Sequence, residues 1–401
     1  MGARVVIAAS YRALAMAVKA AMRVLGFMTG TSLDAVDMAV LETDGEAITG
    51  FGPAGERKLA PETRAVLEEA TAAALAWAWD APAPEIFAKA ERVIAETHLA
   101  AARDFMAEHG LTASDLDLVG VHGQTVLHQP PTRERARGRT VQLIDVQHLA
   151  DGLGLPVAFD FRTADVAAGG QGAPLAPAYH AVLARWAGRA APVAVLNLGG
   201  VGNVTLLRGD GALEAYDTGP ANGMIDLWVQ ARTGARCDED GALARAGKVD
   251  QAALAAYLDH PYFSTSGPKS LDRFDFSIDR VAHLSVADGA ATLTAFAARA
   301  VALGLAALGE TPTELIVCGG GRHNPVLMEA LRTQLAIPVR TAEQVGWRGD
   351  SIEAEAFAYL AARTFIGAPI SFPGTTGVPR PMTGGRVVEP QIGSAAMRLS
   401  R

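Results

Sequence analysis

Apolar positions along the chain gather into short runs that end in glycine or small polar residues, with longer amphipathic stretches between them. Val24–Met28 is one such run. It breaks at Thr29-Gly30-Thr31-Ser32 and resumes as Val36–Leu41, a pattern that predicts strand, tight turn, strand. Leu118–His122, Pro156–Asp160, Val193–Leu198 and Leu315–Cys318 read as further short buried strands. Between them, Phe87, Ala90, Ile94, Ala101 and Phe105 recur at helical spacing, and Gly110 follows as a stop. Ala81-Pro-Ala-Pro84 separates that helix from the one before it, and a last clear helix covers Val326–Leu335. Strands alternating with helices in this way predict α/β layers.

The strand–turn–strand pattern occurs twice. The second copy is Asn197-Leu-Gly-Gly-Val-Gly-Asn-Val-Thr-Leu206. In the first, Gly30 lets the backbone approach a ligand, and the neighbouring hydroxyls and amides can donate to phosphate oxygens. The spacing is not that of a P-loop, because no Lys-Ser or Lys-Thr closes it. A plain surface hairpin is the alternative. Two such hairpins predict two related half-domains with a nucleotide cleft between them. A boundary near Ala187–Pro192 gives a first lobe at residues 23–190 and a second at 191–401.

Composition narrows the picture. The chain has 401 residues, 50% hydrophobic and 19% charged, enough for two domains with sizeable cores. The net charge of −8 is spread along the chain, and no basic block of the kind that tracks nucleic acid is present. Cys237 and Cys318 lie far apart and form neither a zinc pattern nor a disulfide framework, which fits a reducing, cytoplasmic setting. Residues 1–22 are Ala-rich and carry Arg4, Arg12 and Lys19; their apolar runs are too short to span a bilayer. They read as a frayed extension, or as the result of a start assigned upstream of Met16 or Met22. No membrane partner is expected.

Candidate chemistry concentrates in Asp160-Phe-Arg-Thr-Ala-Asp165, which runs into Gly169-Gly-Gln-Gly172. Asp165 beside a glycine loop suits a group that orients a nucleophile and accepts its proton. A helix or turn cap is the alternative role, and Asp160 is a competing base. Arg162 could steady either acid or a substrate anion. His122, in His122-Gly-Gln-Thr125, reads equally as a ligand to substrate and as a satisfied core histidine. Asp217-Thr-Gly-Pro-Ala-Asn222 is a turn rich in acceptors, with Asp226 just beyond it. Gly319-Gly-Gly321 lies between a strand and a helix, where a base or ribose could approach the backbone. Glu353 follows Asp350 at capping-box spacing, so function and capping both fit it. Lys269 and Ser270 sit in a Gly/Pro loop, where the lysine either meets phosphate or is solvated.

Taken together and in this order, these motifs resemble the anhydro-N-acetylmuramic acid kinases of the sugar kinase, heat-shock protein and actin superfamily. The resemblance runs from about Arg23 to about Ile392. It implies two actin-like, ribonuclease H-like lobes, with ATP and Mg2+ as cofactors and a homodimer. It also implies a kinase that opens the 1,6-anhydro bridge with water and phosphorylates O6, giving N-acetylmuramic acid 6-phosphate and ADP in cell-wall recycling. Carried over, Asp165 activates the water and Glu353 helps position sugar or water. Gly30, Thr31, Ser32, Leu33, Asp34, Ala35, Val36 and Asp37 hold the ATP phosphates, with Gly199, Gly200 and Asn203 in the second hairpin. Gly319, Gly320, Gly321 and Asn324 meet the nucleotide, while His122, Gln124, Thr125, Arg162, Gln171, Asp217 and Thr218 meet the sugar. The superfamily usually ends its first strand with an acid for metal-bound water. Met28 stands there, so Asp34, acting through water, or Asp37 is the substitute. Ala35 and Ala221 replace glycines, the Lys269–Arg273 loop departs from the family pattern, and residues 1–22 have no counterpart. An ordinary hexose or amino-sugar kinase, and a non-enzymatic actin-like ATP-binding protein, are the competing readings.

Overall fold

The computed structural model describes residues 21–391, apart from residues 31, 32, 80, 133, 134, 136, 266 and 272–274. Its strands are β1 (Met22–Thr29), β2 (Ala35–Thr43), β3 (Ile48–Lys58), β4 (Leu118–Val121), β5 (Gln124–Gln129), β6 (Arg139–Leu143), β7 (Val157–Phe159), β8 (Val193–Leu198), β9 (Val201–Leu207), β10 (Leu213–Pro220), β11 (Leu315–Cys318), β12 (Val339–Thr341) and β13 (Arg386–Val388). The helices are α1 (Pro61–Ala76), α2 (Ile86–Glu108), α3 (Val146–Leu153), α4 (Thr163–Ala167), α5 (Pro177–Trp186), α6 (Asn222–Thr233), α7 (Ala242–Ala246), α8 (Gln251–Leu258), α9 (Val286–Ala306), α10 (Pro325–Gln334), α11 (Ile352–Phe365) and α12 (Pro373–Thr376).

The chain divides into two compact units. The first runs to Gly172 and recovers Glu353–Ser371 and the chain from Pro381 onward; the second is Ala173–Ile352 with Phe372–Arg380. In the first unit the sheet order is β13-β7-β4-β1-β2-β3. β1, β2 and β3 form an antiparallel meander, β4 lies parallel to β1, and β7 lies parallel to β4. In the second unit the order is β10-β9-β8-β11-β12. Here β8, β9 and β10 form the meander, and β11 and β12 follow in parallel. Both units thus repeat one scheme, the mixed sheet of an actin-like lobe, as the two hairpins predict.

The division differs from a simple split at residue 190. Helix α11, far along the chain, belongs with the first sheet, and the physical reason is close packing. β1 sends Leu25 and Phe27 to one face, where they meet Leu99, Ala102 and Phe105 of α2 and Leu149 and Leu153 of α3. Its Gly26 faces the other way. A Cβ there would lie 1.9 Å from the carbonyl oxygen of Ala354 and 2.7 Å from the nitrogen of Ala358. On β4, a Cβ at Gly120 would lie 2.3 Å from the Phe357 oxygen and 2.7 Å from Ala361 Cβ. Helix α11 therefore rests almost directly on two strand backbones. The N-terminal boundary also differs: β1 already begins at Met22, a buried residue.

Where periodicity predicts helix α2, the structure gives it, with Phe87, Ala90, Ile94, Ala101 and Phe105 buried. Gly110 ends it at φ +63°, and Leu111 N–H returns to the Met106 carbonyl at 2.8 Å. In the second unit, α9 is long and apolar enough to cross a bilayer, yet it is the core helix on which β8, β9 and α10 pack.

Filling either contact with α11 should be costly. Gly26→Ala or Gly120→Ala is expected to destabilise the first unit by about 1–3 kcal/mol, the usual range for overpacking a core. Gly55→Ala, whose Cβ would meet nothing nearer than Phe105 at 3.8 Å, should change stability by less than about 0.5 kcal/mol. Urea denaturation of the three variants checks both numbers. Equal midpoints would show that α11 has room to move away.

Candidate active site

The end of β4 and the loop around α4 bring three sequence-predicted residues, His122, Arg162 and Asp165, into one cluster of the first unit. After β4 the chain passes His122 and turns at Gly123, φ +75°, into β5. After β7 it passes Asp160, φ +59°, into the short helix α4. Asp165 lies in the first turn of that helix and is 2% exposed. The Gly172 N–H donates to its Oδ1 at 2.6 Å. Arg162 Nη1 donates to the Gly172 carbonyl at 2.9 Å, and its Nε donates to His122 Nε2 at 2.8 Å. A guanidinium can only donate, so His122 Nε2 accepts and its Nδ1–H donates to the Gly123 carbonyl at 2.9 Å. Burial, and then the Arg162 charge, holds the His122 imidazole well below its ordinary pKa. It is a neutral residue with a fixed tautomer, packed against the Phe357 ring at 4.7 Å.

Asp160, the competing base, accepts from Arg386 Nε at 2.9 Å. Gln124 is buried, and its Oε1 accepts no hydrogen bond among the described residues. A buried orphan acceptor is a group that a ligand can satisfy. Thr125 Oγ1 accepts from Gln142, and Gln171 Nε2 donates to the Pro131 carbonyl at 3.3 Å. His128 also belongs here. Its ring would lie 3.0 Å from a Cβ at Gly172, though nothing in its sequence spacing singles it out.

At the first hairpin, the Leu33 N–H donates to the Gly30 carbonyl at 3.2 Å and closes the turn, with Leu33 at φ +54°. Thr31 and Ser32 lie outside the described residues. Asp34 is exposed, and its Oδ1 accepts from the Ala35 N–H. Val36 is buried inside β2. Met28 pairs directly with Asp37 across β1 and β2. Opposed residues share a face, so Asp37 stands beside Met28 at the end of β1. His98 braces this strand end: its Nε2 meets Thr29 Oγ1 at 3.2 Å.

In the second unit, polar residues line up across three strands. Asp217 pairs with Asn203, and Asn203 pairs with Asn197. A Cβ at Gly319 would lie 2.2 Å from Asn197 Oδ1, so the row leads to the Gly319–Gly321 turn. The Gly199 and Gly200 carbonyls accept from the N–H groups of Ala221, Asn222 and Gly223 at 3.0–3.1 Å, which ties the second hairpin to the start of α6. Gly319 is at φ +76°, and a Cβ at Gly321 would lie 2.7 Å from Leu198 Cβ, whereas one at Gly320 would meet only Asn222 Nδ2, at 4.0 Å. Asn324 Oδ1 caps α10 through the N–H groups of Val326 and Leu327.

Asp217 Oδ2 accepts from the Leu271 N–H at 2.7 Å, and Thr218 Oγ1 donates to the Gly202 carbonyl. Lys269 is partly buried in its loop. Its Nζ donates to the Tyr262 and Thr265 carbonyls and lies 4.2 Å from the Tyr262 ring centre. Asp350 carries ion-pair contacts to Arg322 and His323, partners that its capping-box spacing gave no hint of. Glu353 lies half-buried in the first turn of α11.

The sequence profile described as anhydro-N-acetylmuramic acid kinase matches residues 22–390. The chain belongs to the anhydro-N-acetylmuramic acid kinase family. It is 65% identical over 367 residues to the protein of that name from Caulobacter vibrioides, covering 92% of this chain and 99% of the relative. To the one from Phenylobacterium zucineum it is 62% identical over 370 residues, covering 92% and 100%. A solved ROK family glucokinase from Streptomyces griseus aligns with a TM-score of 0.41 at 15% identity, over 85% of this chain and 99% of its own. As a member of the anhydro-N-acetylmuramic acid kinase family, the protein is a phosphotransferase with an alcohol group as acceptor.

The buried histidines make a pH prediction. Burial lowers the imidazole pKa of His98 and His180 from 6.5 to about 4, and that of His128 to about 3. Below pH 6.5 the unfolded chain then binds more protons than the folded one, so stability falls as pH falls. The contribution is complete above about pH 6.5, the ordinary histidine value, and is lost progressively toward pH 4. Melting temperature should therefore drop between about pH 7 and pH 4.5. A flat profile would mean that these rings are solvated.

Proposed function

We propose that this kinase opens the anhydro bridge of 1,6-anhydro-N-acetylmuramic acid with water and phosphorylates the oxygen released. The observation that carries the reading is Asp165: a buried carboxylate fixed by the Gly172 N–H, in a cluster where Arg162 and neutral His122 lock the surrounding loop. The bridged sugar has neither a free 6-hydroxyl nor a free anomeric hydroxyl, so an ordinary transfer has no acceptor. Asp165 accepts a proton from water as the water oxygen attacks C1. The C1–O6 bond breaks, O6 takes the γ-phosphoryl group of ATP, and ADP leaves. The products are N-acetylmuramic acid 6-phosphate and ADP. Preorganisation is the site's contribution, because Asp165 need not reorient for the proton transfer.

Gln124 Oε1 is a ready acceptor for a sugar hydroxyl or amide, with Thr125, Arg162 and Gln171 around it. Glu353 helps position sugar or water, and Asp217 and Thr218 complete the sugar contacts. The ATP phosphates fall to Gly30–Asp37 and to Gly199, Gly200 and Asn203. Base and ribose fall to Gly319–Gly321 and Asn324. Mg2+ would neutralise charge on the phosphates as they transfer. Asp34 and Asp37 fit it as one or two carboxylates beside phosphate and water ligands, the donor set this ion usually takes. A cytoplasmic homodimer acting in peptidoglycan turnover belongs to the same proposal.

ADP release by the purified protein with ATP and magnesium, with the bridged sugar or with N-acetylglucosamine, tests the reading. Turnover with the bridged sugar alone is expected. Turnover with the free sugar alone would make this an ordinary amino-sugar kinase. Turnover without any sugar would favour an actin-like ATPase. Asp165→Asn should cost at least about 10²-fold in turnover, the lower end for a lost general base, while ATP still binds. Near-normal activity would remove Asp165 from that role. Glu353→Gln should lower activity at an unchanged melting temperature. Lowered melting with normal activity would mark it as a helix cap.

A further inference from the structure

Directly after the Gly319–Gly321 turn stands Arg322, whose side chain is 1% exposed. Its Nε donates to Glu343 Oε1 at 2.8 Å, and its Nη2 lies 2.8 Å from that oxygen and 2.7 Å from Asp350 Oδ1. Its Nη1 donates to the Gly319 carbonyl at 3.0 Å. The two carboxylates are 50% and 77% exposed. Through Nε and Nη1 the guanidinium therefore joins the glycine turn to Glu343, and Nη2, which makes no hydrogen bond among the described residues, meets Asp350 as an ion-pair contact. The Glu343–Asp350 segment closes onto the guanidinium from the far side: a Cβ at Gly349 would lie 2.5 Å from Arg322 Nε and 2.3 Å from Glu343 Oε1.

A buried ion pair adds little net stability over an apolar residue of similar size, because desolvation offsets the attraction. A planar guanidinium does fix geometry, since its donors point in set directions. Here Nη1 fixes the carbonyl of the first glycine of the turn, which sits at φ +76°, and a Cβ at the neighbouring Gly320 would meet nothing nearer than Asn222 Nδ2 at 4.0 Å. We propose that Arg322 is a positioning residue for nucleotide binding, holding the Gly319–Gly321 backbone where base and ribose approach it. This rests on the assignment of that turn to the nucleotide under Proposed function.

The test uses the full chain and ATP itself. Arg322→Met should weaken ATP binding, measured by calorimetry without sugar, by about tenfold. KM for ATP should rise in parallel, while kcat at saturating ATP and KM for the sugar stay within about threefold. Arg322→Lys should not rescue binding, because an ammonium lacks the fork. Gly349→Ala keeps Arg322 and displaces it, so it should weaken ATP binding in the same direction, and it remains informative if Arg322→Met does not fold. Lowered melting temperature with unchanged ATP affinity in the folded variants would overturn the proposal, as would a loss of kcat alone. Calorimetry separates this from the catalytic proposal. A wild-type chain that binds ATP but ignores the bridged sugar overturns the ring-opening reading and leaves the Arg322 comparison intact.

Discussion

The contact on which the first unit depends is the rest of α11 on the bare backbones of β1 and β4. Gly26 and Gly120 remove the side chains that would hold the helix away. Because the approach is so close, the orientation of α11 is fixed by hard contact with main chain, which cannot yield as a side chain can. That orientation places Phe357 against the His122 ring. His122 in turn accepts from Arg162, and Arg162 grips the Gly172 carbonyl beside Asp165. The candidate base is thus positioned by a chain of contacts that begins at two glycines. The same helix carries Glu353 in its first turn.

The second unit repeats the sheet and uses it differently. Its meander sets Asp217, Asn203 and Asn197 in one row, because paired residues on neighbouring strands share a face. Gly319 completes the row by close approach to Asn197. Two of the three glycines in that turn answer to packing, and Gly320 alone has room for a Cβ, with Asn222 Nδ2 at 4.0 Å. One scheme of strands therefore supports the candidate Asp165 loop in one unit and a tightly packed glycine turn in the other. Function here lies in what each strand end carries, not in the scheme itself.

Charge is managed in the same way throughout. Burial lowers the pKa of four histidines, so charge on them is disfavoured. Lys269, in a loop that reads as phosphate-binding or solvated, has its ammonium satisfied by two carbonyls and an aromatic face. Arg162 and Arg322 act as forks that join separate loops. Both use the guanidinium for geometry, a use for which lysine is a poor substitute.

Much of this was legible in the chain. Val193–Leu198 and Leu315–Cys318 read as buried strands because continuous apolar runs ended by glycine fit little else, and the structure gives both at those bounds. The two hairpins revealed the duplication because glycine turns between apolar runs are local signals. The motifs around His122, Arg162 and Asp165 pointed to one site, since their residue types announce their chemistry. Local pattern carried no information about which distant segments meet. It placed residues 353–371 with the second half of the chain, whereas packing on Gly26 and Gly120 draws them to the first. It gave no sign that Asp160 accepts from Arg386, 226 residues away. It gave no sign of Arg322, because the partners that define that side chain lie 21 and 28 residues away. Sequence determines propensity and chemistry residue by residue. Which groups a carboxylate meets, and which cation becomes a fixed anchor, depends on contacts that exist only once the chain has closed on itself.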